Sequence, residues 1–344
     1  MKNILLIIIT TVFIYSCNTA QDKDCKKSFL IVNYNVENLF DTIHDAGKYD
    51  EDFTPEGKKN WNSKRYNNKL QKLAYVIQQI DKEKLPDVVG LVEIENKRVL
   101  KDLVSQKEIK GAKYNIVHHE GPDVRGIDCA LLYNPNTFSV LKSTFYRVNM
   151  ENNPNFKTRE IIYVKGKVNK ANDEVHIFVN HWPSRRGGME KSAPKRALAA
   201  EVLRNSIDSI LATDAMAKII IMGDFNDETD NKSITEVLGA NNNKDSKTLY
   251  NTSATQDDKN IGSYHYWKTG EWNMLDQMII SNGLLNATTG IQTLNTEMQI
   301  FRPEWLLHKD KDGNKSPSKT YGKGYYGGYS DHLPIYKHFK FNCK

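Results

Sequence analysis

Two apolar segments of the 344-residue chain border polar side chains that could do chemistry. One apolar run leads into Asp224 and Asn226, while Asp331 and His332 come shortly before the apolar segment Ile335–Phe341. Carboxylates and carboxamides are the ligands that hard divalent cations such as Mg²⁺ prefer, and imidazole exchanges protons near neutral pH. Together these groups indicate metal-assisted hydrolysis of a phosphate ester.

Further predicted strands end or begin at polar side chains of the same kinds. These are Asn35 after the strand Ser28–Tyr34, Glu93 and Glu95 after Asp87–Val92, His181 after Val175–Val179, and Asp276 before Gln277–Ile280. Folds of the α/β class place their chemistry at strand ends. Taken singly, Asp and Asn are more often turn or cap residues, and a lone His is more often a hydrogen-bonded interior residue. Their recurrence at several strand ends favours one shared site.

The apolar pattern predicts helices and strands in one unit. Apolar residues at helical spacing predict an amphipathic helix over Leu70–Ile80, and a long helix is expected over Pro194–Leu211. The other predicted elements are a short helix over Val99–Val104 and strands over Tyr114–Val117, Ala130–Tyr133, Phe138–Leu141, Ile161–Val168, Ile219–Met222, Tyr264–Trp267 and Ile335–Phe341. With no repeat and no long linker, this order predicts one α/β domain over residues 28–342, in which packed sheets are flanked by helices.

The order of these motifs resembles the endonuclease/exonuclease/phosphatase superfamily, which has the DNase I-like fold. The resemblance covers nearly all of residues 29–341. It rests on Asn33–Phe40, Gly90–Asn96, Asn180–Arg185, Gly223–Asn226, Leu275–Ile279 and Ser330–His332. It implies a four-layer α/β sandwich, with two packed mixed β-sheets flanked by helices, and the hydrolysis of phosphoric esters.

The resemblance also implies roles for the polar residues at the strand ends. Asn35, Glu93 and Asp331 match metal-site positions of the family. The cofactor would be Mg²⁺, or Mn²⁺ or Ca²⁺, as one or two ions. Asp224 and Asn226 match a pair that binds a second metal or positions the attacking water and the phosphate.

Two histidines match catalytic positions of the same family. His332 matches a histidine that is paired with an aspartate, which is Asp276 here; a carboxylate on one ring nitrogen fixes the tautomer and raises the basicity of the other. His181 matches a second histidine of DNase I-like and sphingomyelinase-like members. It could protonate the leaving oxygen or stabilise charge on the phosphate. Members that cleave at abasic sites differ there, so this chain resembles the secreted nucleases more closely.

The family also bears on the choice between two glutamates. Alternation along an extended strand puts Leu91, Glu93 and Glu95 on one face. The glutamate of the family follows the apolar strand directly, which favours Glu93 as the ligand. Glu95 would support it or cap the segment that follows.

Arginines near these motifs are predicted to contact phosphate. Arg159 matches an Arg-Glu pair that contacts phosphate in DNase I-like nucleases, and a guanidinium can donate two parallel hydrogen bonds to a phosphodiester. Arg125 precedes a strand on the expected active face. Arg185 and Arg186 lie in a basic loop just after the His181 motif. For Arg125 and for this loop, a solvated surface charge is an equally good interpretation.

A Gly-rich loop before Asp331 carries four tyrosines, namely Tyr321, Tyr325, Tyr326 and Tyr329. Nucleic-acid bases stack on aromatic rings of this kind in single-strand grooves. Packing of the loop itself is the other interpretation, since the chain contains 17 Tyr.

The N-terminus predicts export from the cytoplasm. After a short positive start, the apolar run Ile4–Ile14 has the length of a signal peptide and is too short to span a membrane comfortably. The small residue before Cys17 resembles a bacterial lipobox, which implies a signal peptide over residues 1–16, lipidation of Cys17 and a tether over residues 17–27. The protein would then be anchored to a bacterial membrane by lipid alone, in the periplasm or at the cell surface. Secretion with cleavage after Ala20 is the alternative.

Two further cysteines, Cys25 and Cys343, lie near the ends of the mature chain. Export permits disulfides and domain termini often lie close together, so a Cys25–Cys343 bridge is predicted; two unpaired thiols are the alternative. We expect a monomer. A hydrophobic content of 39% argues against disorder, and the net charge of +6 is compatible with an anionic substrate.

Three functions fit these features. The first is an exported, divalent-metal-dependent phosphodiesterase, in particular a nuclease that hydrolyses DNA or RNA by in-line attack of water. The second is a phosphatase or phospholipid phosphodiesterase acting on inositol-, sugar- or lipid-phosphate. The third is a catalytically inactive binding protein on the same fold, which is disfavoured because every matched catalytic position is occupied.

Overall fold

A computed structural model of the chain describes residues 26–244, 249–258 and 261–342. Two large sheets form its centre, and most strands belong to them. In chain order the strands are β1 (Lys26–Leu39), β2 (Val88–Ile94), β3 (Asn115–His118), β4 (Asp128–Tyr133), β5 (Phe138–Tyr146), β6 (Ile161–Val168), β7 (Asp173–His181), β8 (Ile219–Asp224), β9 (Ala240–Asn241), β10 (Leu249–Asn251), β11 (Tyr264–Tyr266), β12 (Glu271–Asn273), β13 (Asp276–Ser281), β14 (Gln292–Thr293), β15 (Gln299–Ile300), β16 (Leu307–Lys309), β17 (Lys315–Pro317) and β18 (Ile335–Asn342).

Each large sheet has seven strands and mixes parallel with antiparallel pairs. The first has the order β14-β18-β1-β2-β4-β3, with β15 also paired to β18, and the second has the order β5-β6-β7-β8-β13-β10-β9. The parallel pairs β1–β2 and β7–β8 lie near the middle of their sheets and carry most of the predicted site residues at their ends. Two separate hairpins, β11–β12 and β16–β17, complete the strands.

The helices of the described chain are α1 (Ser63–Gln79), α2 (Lys97–Val104), α3 (Met189–Thr213), α4 (Ala254–Asp258) and α5 (Asn282–Leu285), together with a π-helical turn over Ser233–Val237 and 3-10 turns over Glu51–Phe53, Lys110–Ala112 and Glu304–Leu306. The three longest, α1, α2 and α3, cover the outer faces of the two large sheets. The described part of the chain contains no helix that is long and apolar enough to cross a membrane.

Alternation along β1 shows how the layers are held together. Leu30 and Val32 face α1 and α2, whereas Phe29 and Ile31 face the second sheet. On the far side of the second sheet, Ile221 packs with α3. Because both faces of the central strands are buried, their sequences are continuous apolar runs. The order helices, sheet, sheet, helix is the predicted four-layer α/β sandwich, and this prediction is confirmed.

The predicted elements exist, although several boundaries differ. The helix predicted over Leu70–Ile80 corresponds to the longer α1, which begins at Ser63 and ends at Gln79. The helix predicted to begin at Pro194 begins instead at Met189. Proline is favoured in the first turn of a helix, but Pro194 lies beyond the first turn of α3. Cys129 is buried in the core between the sheets. The signal peptide, Cys17 and the Cys25–Cys343 pair lie outside the described residues.

Candidate active site

A cleft of about 1000 Å³ opens at the end of the sandwich where β1, β2, β7 and β8 finish. Six of the predicted catalytic and metal-site residues line it: Glu93, His181, Asp224, Asn226, Asp331 and His332. Arg125 and Arg185 line it too, and the hairpin β11–β12 forms another wall. The topology therefore brings together side chains that are far apart in the sequence.

A bulge near the end of β2 directs Glu93 toward the cleft. The pairing register of β2 with β4 shifts between Val92 and Ile94, and Glu93 adopts φ 69°. Left-handed backbone in a residue with a side chain is strained and is found mainly where function requires it. The Oε2 atom of Glu93 accepts a hydrogen bond from the Asn38 backbone at 2.8 Å, which fixes the carboxylate.

The same bulge separates Glu93 from Glu95. Glu95 is buried and accepts a hydrogen bond from the Asp41 backbone at 2.7 Å, away from the cleft. Burial raises the pKa of Glu95 to about 9. The expectation that the two glutamates share one face is therefore wrong, because simple alternation does not survive a bulge.

Asn35 contacts the carboxylates of both sheets. Its Nδ2 atom donates to Asp224 Oδ2 at 3.0 Å and lies 3.4 Å from Glu93 Oε1, while its Oδ1 accepts from the Glu37 backbone at 3.0 Å. In this arrangement Asn35 orients two carboxylates. A carbonyl oxygen keeps a second lone pair, so its predicted role as a metal ligand stays a prediction.

Asp224 and Asn226 lie at the end of β8, next to His181 on the neighbouring parallel strand. Asp224 Oδ1 accepts a hydrogen bond from the Asn226 backbone at 2.9 Å, and Asn226 Nδ2 donates to the Trp182 carbonyl at 3.0 Å. Gly223 is required before them, since it adopts φ 150° and a Cβ atom there would lie 2.0 Å from the Asn180 carbonyl oxygen. This close approach aligns the two strand ends.

His332 forms the predicted pair with Asp276. Its Nδ1 lies 2.6 Å from Asp276 Oδ2, and the same oxygen accepts from Ser263 Oγ at 2.7 Å. Its Nε2 lies 3.9 Å from Asp224 Oδ2. Burial opposes the charged imidazolium, but the carboxylate of Asp276, with help from Asp224, raises the pKa of His332 well above its usual value. His332 is therefore held protonated.

His181 has the opposite electrostatic environment. Burial, together with the positive charges of Arg159 and Arg125, lowers the pKa of His181 well below its usual value. Its Nε2 lies 3.7 Å from Asp224 Oδ2 and 3.9 Å from Glu93 Oε1. A neutral imidazole and a charged imidazolium thus face the same carboxylate, and such a separation is typical of groups with different catalytic roles.

Asp331 is held in place by contacts around β1. Ser330 donates from Oγ to the Asn35 carbonyl at 2.7 Å. Behind it, the Glu37 carboxylate accepts hydrogen bonds from the Thr320 and Tyr321 backbones at 2.6 and 3.0 Å. These contacts attach the Gly-rich loop to the end of β1 and fix the segment that carries Asp331.

The donor set of the cleft fits a hard divalent cation. Burial raises the pKa of Asp224 to about 7 and also raises that of Asp331, with His332 opposing both shifts. Carboxylates whose buried charge is incompletely neutralised are favourable surroundings for a cation. Mg²⁺ commonly takes only one or two protein carboxylates and completes its shell with water and substrate. Accordingly, no three Asp, Glu, His or Cys ligand atoms of the described cleft residues lie within 4.8 Å of one another.

The predicted phosphate-binding arginines differ in position. Arg125 is half-exposed in the cleft, and Arg185 lies beside it with Nε donating to the Asn226 carbonyl at 2.8 Å. Arg159 is buried, donates to the Trp182 carbonyl and contacts Asp123, and it is not among the described residues that line the cleft. Arg159 supports the cleft from behind in this arrangement, and direct contact with phosphate stays a prediction. Arg186 is exposed in the cleft.

The aromatic residues that line the cleft are not the tyrosines of the Gly-rich loop. Tyr321, Tyr325 and Tyr329 pack against the core beside α1, so packing accounts for most of the Gly-rich loop. The cleft is lined instead by Tyr264, Tyr266 and Trp267 of the hairpin β11–β12. A strand was predicted over Tyr264–Trp267, but nothing in its short sequence indicated that it would face the site.

Two packed mixed sheets with this cleft at one end define a DNase I-like α/β sandwich. The chain belongs to the Endonuclease/Exonuclease/phosphatase family, whose model matches residues 30–340. Members of this family are phosphoric ester hydrolases. No curated protein sequence matches the chain.

Solved structures of the same fold cover nearly the whole chain. An endonuclease/exonuclease/phosphatase family protein from Bacteroides thetaiotaomicron is 14% identical, with 93% of this chain and 97% of that chain covered and a TM-score of 0.57. The human Nocturnin catalytic domain with bound sulfate anion is 17% identical, with 93% and 96% covered and a TM-score of 0.53. TDP2 from D. rerio, complexed with a single-strand DNA product, is 15% identical, with 91% and 98% covered and a TM-score of 0.54.

Proposed function

We propose that this chain is an exported, divalent-metal-dependent phosphodiesterase that cleaves nucleic acid by in-line attack of water. It would act as a monomer through one catalytic domain over residues 28–342, anchored to the membrane through a lipid on Cys17. The observation that carries the proposal is the convergence of Glu93, Asp331, Asp224 and two histidines in one cleft. There His332 Nδ1 lies 2.6 Å from Asp276, and both histidines face Asp224. Acids that could hold a cation, beside imidazoles that could move protons, are typical of a hydrolytic site.

Glu93 and Asp331 would hold the metal, with Asn35 as a further ligand or as the group that orients them. When bound, the cation would supply Lewis-acid stabilisation of the charge that develops on the phosphoryl and leaving oxygens. The two carboxylates reach the cleft from different elements, and the bulge of β2 and the contacts of Ser330 fix their positions.

Side chains of the protein would carry out the proton transfer and bind the phosphate. Asp224, whose pKa burial raises to about 7, would accept the proton of the attacking water. His332, kept charged by Asp276, would donate a hydrogen bond to the phosphate as negative charge grows on it. Neutral His181 and the amide of Asn226 would hold the other phosphoryl oxygens. These donors are positioned before the substrate arrives, so little reorganisation is needed during the reaction.

The two side walls of the cleft favour a nucleic acid as substrate. Arg125 and Arg186 provide positive charge for a polyanionic backbone, and Trp267 exposes 69% of its surface beside Lys268. Proteins that bind single strands combine a basic groove with aromatic rings on which bases stack. The D. rerio relative, which has this fold, was solved with a single-strand DNA product.

The decisive experiment assays the chain lacking residues 1–17 on several substrates. We expect Mg²⁺-dependent cleavage of plasmid DNA, single-stranded DNA or RNA, abolished by EDTA and reduced at least about 10³-fold by Glu93→Gln. Glu56→Gln, an exposed glutamate on a surface turn, is the matched control and should retain full activity.

Other outcomes would reassign the substrate or the mechanism. Metal-dependent hydrolysis of p-nitrophenyl phosphate or of phospholipid, with nucleic acids left intact, would move the protein to the phosphatase or lipid branch. Full activity of Glu93→Gln in EDTA would overturn the metal mechanism. Tight binding of nucleic acid without cleavage under any metal would identify an inactive binding protein.

A further inference from the structure

A second group of carboxylates lies where the loop after β1 meets the segment after β2. One carboxylate oxygen from each of Asp45, Asp50 and Glu95 lies within 4.8 Å of the other two. None of the three is among the described residues that line the cleft. Oxygens bound to one Ca²⁺ ion at 2.3–2.6 Å can be no more than about 5 Å apart, so this spacing matches a shared ion.

An unpartnered buried atom in this group points to a ligand. Glu95 is only 2% exposed, and its Oε2 accepts from the Asp41 backbone, but its Oε1 has no hydrogen-bond partner in the described part of the chain. A buried carboxylate oxygen without a partner is costly, and such groups are normally bound to protein, water or an ion. The position of this atom, next to two more carboxylates, makes a cation the fitting partner.

The neighbouring groups orient the carboxylates without neutralising all of them. Asp50 Oδ2 accepts from the Asp45 backbone at 2.8 Å, and Asp45 Oδ2 accepts from Asn96 Nδ2 at 3.2 Å. Arg98 is the nearby guanidinium, and its Nε pairs with Asp41 at 2.5 Å while its Nη2 stays 3.6 Å from Asp45. Arg98 is directed chiefly at a fourth carboxylate, and His44 Nδ1 pairs with Asp50 Oδ1, so neither cation pairs with Glu95 in the described part of the chain.

We propose that Asp45, Asp50 and Glu95 bind a structural cation of the Ca²⁺ class, separate from the metal of the cleft. Three carboxylates from two adjoining segments suit Ca²⁺, which takes carboxylate oxygens in a high and flexible coordination number. The overlapping group of His44, Asp50 and Glu51 contains an imidazole and would favour a transition metal instead. The buried, unpartnered oxygen of Glu95 favours the first group.

The ion would connect segments that border the cleft. Glu95 lies two positions after Glu93, and the loop that carries Asp45 and Asp50 is bound to the segment before Arg125. Lys48 Nζ donates to the Gly121 and Asp123 carbonyls, each at 3.0 Å. A cation at this junction would therefore stiffen the backbone on the side of the cleft where the β2 bulge and Arg125 lie.

The test is the melting temperature of the full chain in Ca²⁺, in Mg²⁺, in Zn²⁺ and in EDTA, with calorimetric titration of each ion. We expect Ca²⁺ at a hundredfold excess over its Kd to raise the melting temperature by about 5 °C or more. Asp45→Asn and Glu95→Gln should remove this shift. Glu93→Gln, which disables the cleft, and Asp52→Asn, an acid of the same loop outside the group, should keep it.

The sign of the effect in EDTA distinguishes a cation site from ordinary structural carboxylates. Asp45→Asn and Glu95→Gln keep the shape of the side chain and remove repulsion, so in EDTA both variants should melt at or above the wild-type temperature. Lower melting of both variants in EDTA, a Ca²⁺ shift that survives them, a shift lost in Glu93→Gln, stabilisation by Zn²⁺ alone, or no shift with any ion would each overturn the proposal.

Discussion

Asp276 acts in this site through its hydrogen bond with the imidazole of His332. It accepts from His332 Nδ1 at 2.6 Å, and this bond leaves Nε2, the nitrogen nearer Asp224, to carry the second proton. Asp276 is fully buried and is not among the described residues that line the cleft. Its contribution to hydrolysis should therefore pass entirely through the imidazole.

We predict that the effects of changing His332 and Asp276 are not additive. His332→Ala should lower kcat by about 10³-fold, which is the range for a lost charged donor or acid-base group. Asp276→Asn should cost less, and the double variant should be no slower than His332→Ala, because both changes remove the same function. Turnover of bis-p-nitrophenyl phosphate measures this, with the exposed His308→Ala as control. A double variant that multiplies the two losses would show that Asp276 acts independently.

The sequence predicts which residues belong to the site more readily than the direction in which each side chain points. Glu93, His181, Asp224, Asp331 and His332, at the ends of predicted strands, do line one cleft. The separation of Glu93 from Glu95 could not be predicted, because it depends on one left-handed residue within a strand. Similarly, the burial of Arg159 behind Trp182 depends on tertiary packing that no local pattern contains.

Among the secondary-structure elements, the strands that are buried on both faces are the ones that the sequence predicts most clearly. The long central strands β1, β2 and β8 are continuous apolar runs and were predicted. The short strands between residues 240 and 317 have only two or three residues each, which is too few to show an apolar pattern. The hairpin β11–β12 belongs to this group, so the aromatic wall of the cleft was not recognised from the sequence.

The hairpin gives a prediction about substrate choice. Trp267→Ala should raise KM for single-stranded DNA by about tenfold, since one stacked base contributes about 1–3 kcal/mol. Hydrolysis of a small diester such as bis-p-nitrophenyl phosphate should change little. Tyr326→Ala is the matched control, because Tyr326 exposes 59% of its surface on the Gly-rich loop and is not among the described cleft residues. An equal loss with Tyr326→Ala would restore the tyrosine loop as the binding surface.

In the molecule as a whole, burying a charged side chain within the four layers costs free energy unless hydrogen bonds satisfy it. Lys337, on β18 of the first sheet, is 1% exposed. Its Nζ donates to the carbonyls of Asn295 and Glu297 at 2.7 and 2.8 Å, which attaches the segment before β15 to the sheet. Burial lowers the pKa of Lys337 from 10.5 to about 8, with Glu297 opposing the shift.

This shift predicts how the stability of the sandwich depends on pH. Between about pH 8 and 10.5 the unfolded chain holds the Lys337 proton and the folded chain has lost it, so the contribution of Lys337 to the unfolding free energy increases with pH. The stability difference between the wild type and Lys337→Met should therefore be flat below pH 8 and shift in favour of the wild type as the pH rises to 10.5. Urea unfolding at intervals across this range measures the difference. Lys340→Met, an exposed lysine on the same strand, should give a curve parallel to the wild type. Parallel curves for Lys337→Met as well would mean that the hydrogen bonds to its ammonium group outweigh the cost of burial.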